Sequence, residues 1–102
     1  MELCQGELIR IEGWKGRLFV VVSKNAFIRA TGCFHICPVL KELPEGPLHI
    51  RIRGKNGTEG IAVCEQLKLI DPAKRSCTRK DSLSYAQIMN LSDALQGIFE
   101  YD

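Results

Sequence analysis

Apolar and polar positions fall in short runs over the first 70 residues and then change period. Glu7-Leu8-Ile9-Arg10-Ile11-Glu12 is apolar in its middle and stops at Gly13. After the Trp14-Lys15-Gly16 turn, residues 17–23 are β-branched and apolar on both faces, which predicts a central strand. A loop containing Asn25 and Gly32 leads to a further run over 33–40, and Leu43-Pro44-Glu45-Gly46-Pro47 reads as a turn. Leu48-His49-Ile50-Arg51-Ile52-Arg53 alternates strictly with period two, and Asn56-Gly57 is a hairpin signal. Runs over 60–64 and 66–70 follow before Asp71-Pro72 breaks the pattern. Six short strands joined by tight turns predict a small antiparallel barrel or a highly curved sheet.

The period then becomes helical. Ser84 is placed as an N-cap with Gln87 three residues on, and Leu83 and Ile88 form a hydrophobic staple. Ile88, Leu91, Leu95 and Ile98 fall on one stripe, widened by Ala94 and Phe99. The reading is one domain over 1–102, with a barrel over about 5–72 and one amphipathic helix over about 84–99.

Charge sharpens this division. The chain has 14 Lys+Arg and 12 Asp+Glu, a net of +2. Residues 1–80 hold all 14 bases and 8 acids, giving +6, whereas 81–102 hold only Asp81, Asp93, Glu100 and Asp102, giving −4. We therefore expect a basic barrel, and acids largely on and beyond a helix that packs away from the basic surface. The longest apolar run, 18–22, is far short of the roughly 20 residues that span a bilayer. The N-terminus carries acids where an export signal has bases and an apolar core, so a cytoplasmic location is expected. Five cysteines, an odd number, read as reduced thiols.

Three constellations carry candidate chemistry. His49, Arg51 and Arg53, extended by Lys55, place cationic or imidazole groups about 7 Å apart on one strand face. That spacing suits a nucleic-acid backbone, and equally a solvated outer face. Arg17, opening the most apolar strand, is either a phosphate clamp or a surface arginine beside a turn. Cys33, His35 and Cys37 have a zinc-like spacing, but Cys33 and Cys37 would lie about 13 Å apart along a strand, which favours packed thiols over a metal. No Ser-His-Asp pattern, phosphate-binding loop or dinucleotide fingerprint is present, and no cofactor is expected.

The order of the runs resembles the MazF/PemK toxins of type II toxin–antitoxin systems and, more loosely, CcdB toxins. Gln5-Gly6-Glu7-Leu8-Ile9 resembles the family's opening motif, and Arg17-Leu18-Phe19-Val20-Val21-Val22-Ser23 its arginine-led strand. The run over 31–38 falls at the family's next strand. The segment over 59–71, with Gln66, Ile70 and Asp71, resembles a later block, and Leu91-Ser92-Asp93-Ala94-Leu95-Gln96 the closing helix.

The resemblance implies an SH3-like barrel with a C-terminal helix, a homodimer, and a cognate antitoxin whose disordered tail neutralises the toxin. It implies metal-independent cleavage of single-stranded RNA, with Arg17 stabilising the phosphorane; the row of His49, Arg51, Arg53 and Lys55 would then bind the nucleic acid. Three departures stand out: ungapped counting puts Leu40 at the family's catalytic threonine, the turn over 13–16 is short, and Leu18 replaces a proline. Ser23, Thr31 and His35 are the candidate stand-ins for the missing hydroxyl, and Lys15 is a further candidate helper that steers RNA. The alternative is a non-catalytic CcdB-like module acting on a protein partner such as DNA gyrase.

Overall fold

The computed structural model describes residues 2–102. Its elements run β1 (Glu7–Ile11), β2 (Leu18–Val21), α1 (Asn25–Thr31), β3 (Phe34–Leu40), β4 (His49–Arg53), β5 (Glu59–Val63), β6 (Lys68–Ile70), β7 (Cys77–Ser82) and α2 (Tyr85–Ile98). The strands form one antiparallel sheet in the order β4-β5-β3-β2-β1-β7, with β6 also paired to β3. The expected class, mainly β with one C-terminal amphipathic helix, is the one observed.

Three expectations need correction. Among the described residues there are seven strands rather than six, the additional one being β7. Residues 25–31 form a short helix rather than a loop. And the sheet curls without closing, because its end strands β4 and β7 share no ladder.

Both faces of β1, β2 and β3 are covered, as an all-apolar strand requires. Ile9, Phe19, Val21 and Ile36 point into one core with Ile28 of α1 and Ile70 of β6. Leu8, Val20, Cys37 and Val39 point into the other, under Leu91 of α2 and against Ile52 and Ala62. The alternation is set by register: Leu8 opposes Val20, which opposes Cys37. Ser84 caps α2 by accepting the Gln87 N–H, as expected.

Pro38 sits in β3 opposite Phe19. It is tolerated because β3 changes partner there, pairing β6 through residues 34–36 and β5 through residues 39–40. Its missing N–H would face the gap between the two ladders.

Asp81 ties the ends of the sheet together. It lies on β7, almost fully buried, and not on the helix as the charge count suggested. Its carboxylate accepts the N–H groups of Asn56 (3.0 Å), Thr58 (3.1 Å) and Ser82 (2.8 Å), while Lys55 N–H bonds Ser82 O (2.9 Å). The β4–β5 turn is thereby fastened to β7. Gly54 is required beside it, since any Cβ there would overlap the Asp81 carboxylate. Burial opposes ionisation of Asp81, but the Thr58 hydroxyl and the N–H groups of Asn56, Ser82 and Thr58 outweigh it and hold its pKa at about 2.

Candidate nucleic-acid interface

The turn between β1 and β2 builds the site. Trp14 N–H bonds Ile11 O (3.1 Å) and Arg17 N–H bonds Trp14 O (3.4 Å), so the chain reverses between two glycines with positive φ, Gly13 and Gly16. This places Trp14, Lys15 and Arg17 around a groove of about 540 Å³ with Phe19, Pro38 and Lys68. Trp14 and Phe19 pack with ring centroids 5.3 Å apart. Lys68 Nζ and Arg75 Cζ each lie 4.9 Å from the Trp14 ring centroid. Three exposed cations and an aromatic wall suit a polyanion that carries planar bases.

Apart from the amines of Lys15 and Lys68, the groove holds no acid–base group. Its remaining lining residues are Gly13, Gln66 and Leu67, so no hydroxyl, imidazole or carboxylate faces it.

Of the expected helpers, Lys15 alone lines the groove with Arg17. Ser23 and His35 are brought together elsewhere: Ser23 Oγ lies 2.7 Å from His35 Nδ1 and accepts the His35 backbone N–H at 2.6 Å. They line a separate cavity of about 250 Å³ with Leu95 and Phe99, on the α2 side, and Leu67 stands between the two spaces. Thr31 closes its own helix, donating to Phe27 O and accepting from Cys33 N–H. Leu40 is exposed at the end of β3 and lines neither space.

The β4 row alternates as expected, with Arg51 and Arg53 exposed and Ile52 buried. Much of its charge is already matched. His49 Nε2 lies 2.8 Å from Glu65, and Arg51 Nε donates to Glu45 at 3.2 Å. The hydrogen bond to Glu65 raises the His49 pKa above its ordinary value, and the same bond lowers that of Glu65. Neither Arg53 nor Lys55 has a carboxylate partner among the described residues. None of the four row residues lines the Arg17 groove.

Sequence reasoning missed Lys68, Arg75 and the wall formed by Trp14, because β6 and the chain beyond it reach the turn only through the fold. It also missed a second depression across the Trp14 turn, of about 540 Å³, lined by Arg10, Glu12 and Lys15 together with Ser76 and Thr78. Two of the five thiols are core packing groups. Cys37 and Cys64 are fully buried, and Cys37 Sγ points to Cys64 O at 3.9 Å. Its hydrogen bond with Cys64, followed by burial, pushes the Cys37 pKa up. No three His, Cys, Asp or Glu side chains converge as a metal site among the described residues. No helix among them is long and apolar enough to cross a membrane.

A curled antiparallel sheet with a terminal helix is a fold this chain shares with a known toxin class. Residues 10–99 match the family described as PemK-like, MazF-like toxin of type II toxin-antitoxin system, and the chain belongs to it. Among solved structures it is similar to a MazE–MazF complex from Deinococcus radiodurans, with 17% identity, a TM-score of 0.82 and 100% and 99% of the two chains covered. A second form of that complex gives a TM-score of 0.81 at 17% identity, covering 96% of each chain. An endoribonuclease in complex with its cognate antitoxin, from a Mycobacterial species, gives 0.80 at 13% identity, covering 99% and 100%. At these identities the likeness shows the fold. No curated protein sequence matches the chain.

Proposed function

We propose that this toxin acts on single-stranded RNA, holding it in the Arg17 groove and cleaving it without a metal, and that a cognate antitoxin restrains it. The observation that carries the reading is the convergence of Lys15, Arg17 and Lys68 beside Trp14. Support for cleavage comes from family membership, and support for an antitoxin from relatives of the same fold solved with one. The toxin acts as a homodimer, which light scattering at twice the chain mass would verify.

In this reading the ribose 2′-oxygen attacks phosphorus and the bond to the 5′-oxygen breaks, leaving a 2′,3′-cyclic phosphate and a 5′-hydroxyl. Negative charge builds on the non-bridging oxygens, where the Arg17 fork donates two N–H groups. The 2′-proton passes to solvent and the leaving oxygen takes one from it, because the groove supplies no hydroxyl, imidazole or carboxylate to relay them and its lysines serve to bind the phosphate. Cleavage should therefore rise with pH from 6 to 9 with no bell-shaped profile, measured as initial rates on a fluorogenic oligonucleotide. A long RNA incubated with the protein in EDTA should yield fragments with 5′-hydroxyl ends. Intact RNA at high protein excess would remove the nuclease part.

A second reading, binding without cleavage, whether of RNA or of a protein partner such as DNA gyrase, is favoured by that same lack of acid–base groups and by Leu40. In either case the β4 row steers the ligand, and its carboxylates set how strongly. Glu45→Gln releases Arg51, so RNA affinity should rise and its salt slope steepen by roughly 0.7. Glu65→Gln should give a smaller gain, because His49 loses the hydrogen-bond partner that raises its pKa and so keeps less of its charge. Anisotropy titrations at several salt concentrations separate the two.

A further inference from the structure

The two ends of the sheet are treated differently. Along β4, His49, Arg51 and Arg53 turn their backbone groups away from β5, and two of the three are already matched. His49 exchanges both bonds with Gly46 at 3.2 Å. Arg53 N–H donates to Gln87 Oε1 (2.6 Å), and Gln87 Nε2 donates to Arg53 O (2.7 Å). The edge is plugged by a turn at one end and by a helix side chain at the other.

Among the described residues nothing plugs the β7 backbone in this way: the C=O of Glu2, which comes close, accepts from the Arg79 side chain at 3.1 Å. The bonds Glu12 N–H to Ser76 O (2.9 Å) and Leu83 N–H to Gly6 O (2.8 Å) fix the phase of its ladder with β1 on either side of a bulge near Lys80. Cys77 and Arg79 therefore present N–H and C=O outward, and no described residue bonds them there. The open stretch ends at Ser82, whose C=O is taken by Lys55. Lys74, Arg75, Arg79 and Lys80 are all exposed along it. Arg79 is paired with Glu7 and Arg75 lies on Trp14, but Lys74 and Lys80 have no carboxylate partner among the described residues.

We propose that the outer edge of β7 takes an extended acidic peptide segment of a partner protein as an added strand. The proposal rests on the antitoxin reading only for who supplies that segment, and not at all on the RNA reading. Up to four main-chain bonds at Cys77 and Arg79 supply the pairing, and Lys74 and Lys80 select its charge. The same lysines exclude a second copy of this chain, which would bring like charges together edge to edge.

The probe is a fluorescent peptide of about ten residues alternating valine and glutamate, with a glycine–glutamate peptide of equal charge as control. Amide exchange followed by NMR on the intact protein should show Cys77 and Arg79 protected by the first peptide and not by the second. The double variant Lys74→Glu, Lys80→Glu should weaken peptide binding about tenfold, while Arg17→Ala leaves it unchanged and the double variant keeps its RNA cleavage. Binding lost in Arg17→Ala but kept in the double variant would place the peptide in the groove and overturn the proposal. Equal binding of both peptides without amide protection would reduce it to charge attraction, and protection of the same two amides by single-stranded RNA would assign the edge to nucleic acid. Both results contradict it.

Discussion

Arg17→Ala is expected to lower RNA cleavage by roughly 10²–10³-fold while leaving the thermal midpoint almost unchanged. The two expectations have separate grounds. Arg17 is exposed and its guanidinium bonds nothing else among the described residues, so its loss should cost the fold under about 0.5 kcal/mol. Its backbone is held independently, through Trp14 O and through Arg10, which donates to Arg17 O at 3.2 Å. Whatever activity disappears must then have used the side chain. Arg17→Lys should recover only part of it, because an ammonium keeps the charge but not the planar fork. The measurement is initial rate on a chimeric oligonucleotide with one ribose, beside a melting curve. Cleavage unaffected in Arg17→Ala would move the chemistry elsewhere, and the depression holding Arg10, Ser76 and Thr78 would be the next place to test.

The largest stability effect is expected at Asp81. Asp81→Ala leaves the N–H groups of Asn56, Thr58 and Ser82 without their acceptor, and should cost about 3 kcal/mol, or roughly 10–20 °C in melting temperature. Acid tests the same clamp. With the folded pKa at about 2 against an ordinary value of 3.8, the stabilisation is complete above the ordinary value and is lost as pH falls through the folded one. That window carries about 2–3 kcal/mol for this one carboxylate. Urea midpoints should therefore fall steeply between pH 4 and pH 2 in the natural chain and less steeply in Asp81→Asn. Parallel slopes would mean that Asp81 is not the group responsible.

The elements legible in the sequence are those whose local pattern and tertiary role agree. β2 reads as central because it is apolar on both faces, and it lies between β1 and β3 with a core on each side. α2 starts at the expected cap because Ser84 and the stripe of Ile88, Leu91 and Leu95 all point to one helix. α1 escapes because two turns burying only Ile28, with no side-chain cap, leave too short a periodic signal. Its visible mark was Gly32, whose left-handed backbone lets its N–H close on Ile28 O at 2.8 Å. β7 escapes because an edge strand of Thr, Arg, Lys and Asp has no apolar alternation, and its one buried residue is a carboxylate. A charge count assigns Asp81 to the acidic C-terminal segment because counting carries no information about partners.

The same logic divides the site. Arg17 and Lys15 are adjacent in the chain and could be grouped from it, whereas Lys68 joins them only because β6 pairs with β3 across from β2. Ser23 and His35 share chemistry that suits Arg17, but the pleat puts His35 on the other side, and Ser23, in the bend beyond β2, turns to meet it there. Residues 35, 37 and 39 share the α2 face, while 17, 19 and 21 share the opposite one.

Trp14 is the chain's one tryptophan, and it stands half-buried between the groove and the depression across the turn, with an ammonium and a guanidinium 4.9 Å from its ring. Its emission is therefore an optical record of a single place. An oligonucleotide that draws Lys68 or Arg75 onto a phosphate, or lays a base near the indole, changes the intensity and wavelength of that one signal, whereas a strand added to β7 reaches it only through Arg75. The protein thus carries its own label, and unlabelled ligands can be ranked by which of the two spectral responses they produce.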